Sequence, residues 1–245
     1  TNKGGASLTV LTYGGIMNKL LVPDREGKLA DVVCGFDTVE DYYSDRGSYS
    51  GAIVGRYGNR ISGGGFTLNG KFYKIENNEG GKCHLHGGNN GLSRRVYNAE
   101  AIPGEGSDKL VLSTFSPDGE DGYPGNLHVR VTYTFDDENA VTIHYEAISD
   151  LDTILNLTSH TYYNLNGYDG GSVMEQELFL DSDKYDAVND LMLPFGPPVP
   201  VDGTPFDFRV RKPISVPFDH SFVLNGEPGK LRRVGQAYDP KSGRT

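Results

Sequence analysis

L-H-V-R-V-T-Y-T-F, residues 127–135, places Leu127, Val129, Val131, Tyr133 and Phe135 at every second position. Side chains on a strand alternate between its two faces, so this spacing gives one dry face and one wet face. V-T-I-H-Y-E-A at 141–147 alternates in the same way. The turn at 136–139 between them predicts an antiparallel hairpin, with His128 and His144 on its solvated side.

Working outward, strand-like runs recur at 8–13, 17–22, 29–33, 110–115 and 178–180, separated by Gly- and Pro-rich turns. Asn69-Gly70 marks a two-residue hairpin between 66–68 and 71–75. D-T-V-E at 37–40 predicts a helix of a turn or two, with Asp37 as its cap. Residues 194–213, with the pair Pro197-Pro198, read as a rigid connection on the surface rather than a linker between domains. With 33 Gly, 13 Pro, 15 Tyr and 11 Phe in 245 residues, the composition is that of many short strands. The expectation is one all-β domain over residues 1–245, a large antiparallel β-sandwich with little helix.

A formal net charge of -10 disfavours sequence-independent nucleic-acid binding, which depends on neutralising phosphates. No stretch reaches the about 18 apolar residues of a membrane span. Residues 1–7 lack the apolar core of a secretory signal, although a signal cleaved earlier leaves no trace. Cys34 and Cys83 are too few for a disulfide framework and are expected as free, buried thiols, which is compatible with a cytoplasmic location.

N-L-T-S-H-T-Y-Y-N-L-N at 156–166 is the stretch that points to chemistry. At the two-residue period Asn156, Thr158, His160, Tyr162 and Asn164 share one face, uncharged and entirely hydrogen-bonding. Such a face suits a ligand made of hydroxyl groups. The plain alternative is a solvated strand with a chance histidine, and the composition of the whole face argues against it.

H-L-H-G-G at 84–88 puts His84 and His86 on a common face of an extended chain, followed by glycines that admit close approach. Two such imidazoles also begin a metal site, but the next carboxylate is Glu100, too far along for the usual pattern. G-R-Y-G-N-R-I at 55–61 sets Arg56 and Arg60 on one face, either as a fork for a sugar hydroxyl or carboxylate or as two surface arginines. Asp207 in G-T-P-F-D-F-R, 203–209, is a turn former or a buried acceptor. No nucleophile elbow, phosphate loop or dinucleotide fingerprint is present, and the inventory fits proton transfer on a polyhydroxy ligand.

Taken together and in this order, G-R-Y-G-N-R-I, H-L-H-G-G, S-P-D-G-E-D-G-Y-P-G-N-L, N-L-T-S-H-T-Y-Y-N-L-N-G, G-T-P-F-D-F-R and D-H-S-F-V-L-N resemble the aldose 1-epimerase, or galactose mutarotase, family. The resemblance implies a β-sandwich of the galactose mutarotase type, no metal and no organic cofactor. It implies interconversion of the α and β anomers of free aldohexoses such as galactose and glucose, a small-molecule substrate with no nucleic acid and no membrane involved. His160 matches the family's general acid and His86 its second active-site histidine, while Asn59, Arg60, Tyr162 and Asp207 match sugar-contacting positions.

The resemblance also implies several tens of residues after K-S-G-R, 241–244, carrying another sugar contact and the glutamate that serves as general base. The sequence ends at Thr245, so that base is not named among its residues, and residues 212–219 read as shorter than the family's loop. Two other functions stay in view. One is a non-catalytic sugar-binding or regulatory relative. The other is a hexose-phosphate 1-epimerase, for which Arg94-Arg95 is the candidate cationic pocket.

Overall fold

The computed structural model describes residues 1–45 and 47–245, which fall into two compact units, Thr1–Val22 with Asp31–Tyr163 and Pro23–Ala30 with Asn164–Thr245. The first unit is built on a four-stranded antiparallel sheet in the order Asn98–Ile102, Ser107–Ser116, Leu127–Asp136, Val141–Ser149. Its register sets Leu112 opposite Val131 and Val131 opposite Tyr145. The alternation in 127–135 is realised in full, since Leu127, Val129, Val131, Tyr133 and Phe135 are all buried and His128 and Arg130 are exposed.

Each side chain so buried contributes about 1.5–3 kcal/mol, which makes this face the main hydrophobic term of the unit. Met17, Val33, Ile53, Leu92 and Tyr97 pack onto it. The buried Tyr133 phenol is satisfied by donating to the Gly15 carbonyl at 2.9 Å. Gly15 and Gly14 turn the chain between Ser7–Val10 and Met17–Pro23, both with positive φ, and a Cβ on Gly14 would lie 2.7 Å from the Ser93 carbonyl.

Smaller elements follow local chemistry. Asn69 (φ 50°) and Gly70 (φ 77°) close the hairpin of Gly65–Leu68 and Lys71–Lys74, as expected of a primed turn. The helix Val39–Ser44 is capped one residue later than expected. Thr38, not Asp37, accepts the Asp41 N–H at 3.2 Å and donates its hydroxyl to the Asp41 carboxylate at 2.6 Å. Both cysteines are free, Cys83 buried and Cys34 half-buried.

The second unit carries two small sheets. One runs Lys212–Pro213, Glu177–Leu180, Gly235–Tyr238, and the other Val199–Pro200, Ser182–Tyr185, Phe222–Leu224. Phe206, Phe208 and Phe218 form its aromatic cluster with Tyr185, His220 and Phe222, which accounts for the aromatics of G-T-P-F-D-F-R and D-H-S-F. The buried Arg244 donates to the carbonyls of Leu165 (2.9 Å) and Lys28 (3.0 Å), so the K-S-G-R turn ties the ends of this unit together. The fold class is all-β, with little helix. No helix among the described residues is long and apolar enough to cross a membrane.

Candidate active site

Residues 156–166 do not form one continuous strand. Thr158–Ser159 pairs with Ile53–Val54, and Tyr162–Tyr163 pairs with Val33–Cys34. His160 stands where the chain changes partner. Its N–H donates to the Ala52 carbonyl at 2.8 Å and its carbonyl accepts from Gly51 N–H at 3.0 Å, so its backbone is fixed on both sides. The expected alternation is lost after this point. Tyr162 and Tyr163 are both exposed, and the Asn164 side chain is buried, its Oδ1 accepting from Gln176 Nε2 (2.7 Å) and its Nδ2 donating to the Gly171 carbonyl (2.9 Å).

His84 and His86 likewise part company. His84 is fully buried, with Nδ1 2.7 Å from the Glu76 carbonyl and Nε2 2.7 Å from the Tyr123 hydroxyl. A carbonyl only accepts, so Nδ1 carries the proton and Nε2 accepts from the phenol. Burial lowers the His84 pKa, and both nitrogens are used, which removes this ring from any H-x-H metal pair.

At His86 the backbone turns into the left-handed region, φ 52°, and the imidazole meets Asn59, itself at φ 65°. The two residues hold each other twice. His86 N–H donates to the Asn59 carbonyl at 3.0 Å, and Asn59 N–H donates to His86 Nδ1 at 2.9 Å. Because an amide N–H can only donate, Nδ1 is unprotonated and the neutral ring bears its proton on Nε2. Burial, then the neighbouring His160 and Arg60, push the His86 pKa down to about 3, with Glu79 opposing. Gly87 follows with φ 90°, and a Cβ there would overlap the Gly55 carbonyl, so glycine is required for the chain to pass.

His86 and His160 face each other edge to face, with ring centroids 4.9 Å apart and planes at 82°. Tyr162 flanks His160 at 5.1 Å. Tyr49, absent from the sequence reading, packs its ring 4.7 Å from His86 and 6.0 Å from His160, and so walls both imidazoles. It too has positive φ, 53°, and burial raises its pKa. Tyr49 lies in irregular chain before Gly51, where periodicity gives no signal; the positive φ that seats it is visible only in the fold.

Arg60 is not a surface arginine. Its Nε and Nη2 each lie 2.7 Å from a Glu79 carboxylate oxygen, and Nη1 lies 3.4 Å from Asn59 Oδ1. Arg60 holds the Glu79 carboxyl below its usual range, while burial and Glu79 push the Cys83 thiol up to about 11. Arg56, expected on the same face as Arg60, is instead buried and structural. It donates to the carbonyls of Ser116, Pro117, Pro124 and Gly125 at 2.9–3.0 Å.

Arg94 donates to the Asp45 carbonyl at 2.6 Å and lies over the Tyr49 ring, and Arg95 pairs with Glu120, so neither extends as a phosphate ligand. Asp207 belongs to the second unit and there acts as a turn former, accepting from Arg209 Nε (2.9 Å) and Nη2 (2.8 Å). Arg209 holds its carboxyl at about 2. The first unit therefore brings together His160, His86, Asn59, Arg60 and Tyr162.

A paired, mutually facing set of imidazoles hemmed by tyrosine, arginine and asparagine is suited to moving a proton on an oxygen-rich ligand. Comparison with known proteins agrees: the family model described as "Aldose 1-epimerase" matches residues 1–245. The chain belongs to the aldose 1-epimerase family. Galactose mutarotase of Bos taurus is 37% identical over 245 residues, covering 96% of this chain and 69% of that protein. Aldose 1-epimerase of Haemophilus influenzae is 39% identical over 236 residues, covering 91% and 67%.

Among solved structures, an aldose epimerase homologue from C. elegans superposes with a TM-score of 0.88 at 33% identity, covering 99% of this chain and 75% of that one. Galactose 1-epimerase from Lactobacillus acidophilus gives 0.86 at 30% identity, covering 98% and 71%. The chain thus spans about two thirds of the length of the curated aldose 1-epimerase relatives it matches. The fold is that of the galactose mutarotases, and the family is one of isomerases.

Proposed function

We propose that the protein interconverts the α and β anomers of free aldohexoses such as galactose by acid/base ring opening and closure. The observation that carries this reading is the His86–His160 pair with its fixed tautomer. Two imidazoles 4.9 Å apart do not both carry charge readily, and His86 is kept neutral. His160 is then the group that delivers the proton.

In the proposed sequence His160 protonates the ring oxygen while a base takes the proton of the anomeric hydroxyl. The bond between C1 and the ring oxygen breaks, the aldehyde turns about the C1–C2 bond, and the ring recloses on its other face, returning both protons. His86 offers its Nε2–H as a fixed donor to the sugar. Asn59, Arg60 and Tyr162 hold hydroxyl groups, and Asp207 is proposed as a further sugar ligand on the strength of the family resemblance. The base is proposed to be a glutamate supplied by sequence outside these residues, as the longer relatives allow. A cytoplasmic location and the lack of a cofactor remain part of the proposal.

The engagement of Arg94 and Arg95 with Asp45, Tyr49 and Glu120 favours a free sugar over a sugar phosphate. The test is polarimetry of freshly dissolved α-galactose with the whole protein. Faster equilibration is expected; hexose binding without acceleration would instead select a non-catalytic sugar-binding protein.

A further inference from the structure

Glu79 has no part in the acid/base steps above, yet its carboxylate is bonded directly to Arg60 of this site. A tight turn puts it there: Glu79 N–H donates to the Cys83 carbonyl at 3.1 Å and Lys82 N–H returns to the Glu79 carbonyl at 3.0 Å, around Gly80 and Gly81. Gly80 (φ 56°) and Gly81 (φ 72°) supply the left-handed backbone that the turn needs. The turn runs directly into His84–Leu85, and this strand pairs with Arg60–Ile61, Arg60 opposite Leu85. Carboxylate, guanidinium and His86 thus ride on one short antiparallel element.

The carboxylate accepts two parallel bonds from Arg60, at 2.7 Å each, and a third from the Cys83 thiol at 2.9 Å. Beyond Arg60 the contacts continue through Asn59, which pins His86 Nδ1. An arginine gripped through Nε and Nη2 loses rotation about its terminal torsions, so its Nη1 edge is presented in one orientation. The pair is partly open to solvent, 14% and 35% for the two side chains, and ion pairs in such settings add little to stability. Orientation, rather than stability, is what the clamp supplies.

We propose that Glu79 is a positioning residue for the sugar: by clamping Arg60 in a bidentate pair, held in turn by the Cys83 thiol, it fixes the guanidinium beside the imidazole pair. The inference rests on the sugar-epimerase reading above. It also assigns the Cys83 thiol a task, as the third donor that keeps the carboxylate from rotating away.

The test is anomerisation kinetics on the whole protein with Glu79→Gln, Arg60→Lys and the double variant. A carboxamide has one acceptor oxygen and a donating NH2, so it cannot accept two parallel bonds from the guanidinium, and Glu79→Gln is expected to raise KM about tenfold while kcat changes less than about threefold. The melting transition should stay in place, and Glu79→Asp should recover part of the loss. Because the effect passes through Arg60, the double variant should be no worse than Arg60→Lys alone. If Glu79→Gln fails to fold, Glu79→Asp with Arg60→Lys runs the same cycle.

Unchanged kinetics in Glu79→Gln, or losses that multiply with those of Arg60→Lys, would overturn this inference while leaving the epimerase reading intact. No acceleration by the wild-type protein would overturn both.

Discussion

Asn59 and His86 are joined by a reciprocal pair of bonds, amide to carbonyl at 3.0 Å and amide to imidazole Nδ1 at 2.9 Å, with both residues in the left-handed region. Single non-glycine residues held there cost of order 1 kcal/mol or more, and they persist where the surroundings over-determine them. Here the return is one tautomer of one histidine, aimed at another.

The first prediction concerns acid. The folded His86 pKa, about 3, lies below the about 6.5 of an unfolded histidine. Between those values the unfolded chain binds the proton and the folded one does not. The stability contributed by neutral His86 is therefore complete above about pH 6.5 and is lost as pH falls towards 3, by at most about 1.4 kcal/mol per pH unit. His84, also shifted downward by burial, acts in the same direction. Denaturant unfolding of the wild type between pH 7 and pH 4 should show this loss, and His86→Asn should show a shallower one.

The second concerns the buried His84–Tyr123 bond. Tyr123→Phe leaves His84 Nε2 without its donor and should cost about 1–3 kcal/mol by equilibrium unfolding. A cost near zero would mean that Nε2 is satisfied by another group.

Much of the fold was legible in the sequence because its signals are local. The alternation of 127–135 needs only one wet face and one dry face, and the Asn69-Gly70 turn needs only two residues that accept positive φ. The helix cap moved from Asp37 to Thr38 because either side chain can cap and sequence spacing does not choose between them. The alternation expected of residues 156–166 fails where the strand changes partner at His160, since a two-residue period carries no information about which strand lies alongside. The same rule puts His84 and His86 on one face, and the left-handed turn at His86 separates them.

Arg56 and Arg60 show the same limit from another side. They are four residues apart in one motif, yet one is sunk among carbonyls and the other is held by Glu79, because these partners lie 19 or more residues away in sequence. Tyr49 and Glu79 were invisible for that reason. The Gly80-Gly81 turn was the only local hint of the second.

Arg56 supplies the third prediction. Arg56→Lys replaces a fork bonded to the carbonyls of Ser116, Pro117, Pro124 and Gly125 by a single ammonium, stranding several buried acceptors. A loss of about 3 kcal/mol or more is expected in denaturant unfolding. A loss below about 1 kcal/mol would place the cohesion of this loop elsewhere.

Gly87 supplies the fourth. Gly87→Ala drives a Cβ into the Gly55 carbonyl at a positive φ, whereas Gly63→Ala, with the same sign of φ, meets nothing within 4 Å. The first should cost more than about 4 kcal/mol or prevent folding, and the second about 1–2 kcal/mol. Parallel melting curves of the two variants check the difference.

The most direct test of the proposed chemistry is the rate of α-galactose anomerisation, followed by polarimetry, for the whole protein against His160→Asn. Asparagine keeps the backbone bonds to Ala52 and Gly51 available while removing the titrating ring. The expected result is acceleration by the wild type and a fall in kcat of about 10²- to 10⁴-fold in the variant, with its fold retained. Equal rates for the two proteins would contradict the assignment of His160 as the acid.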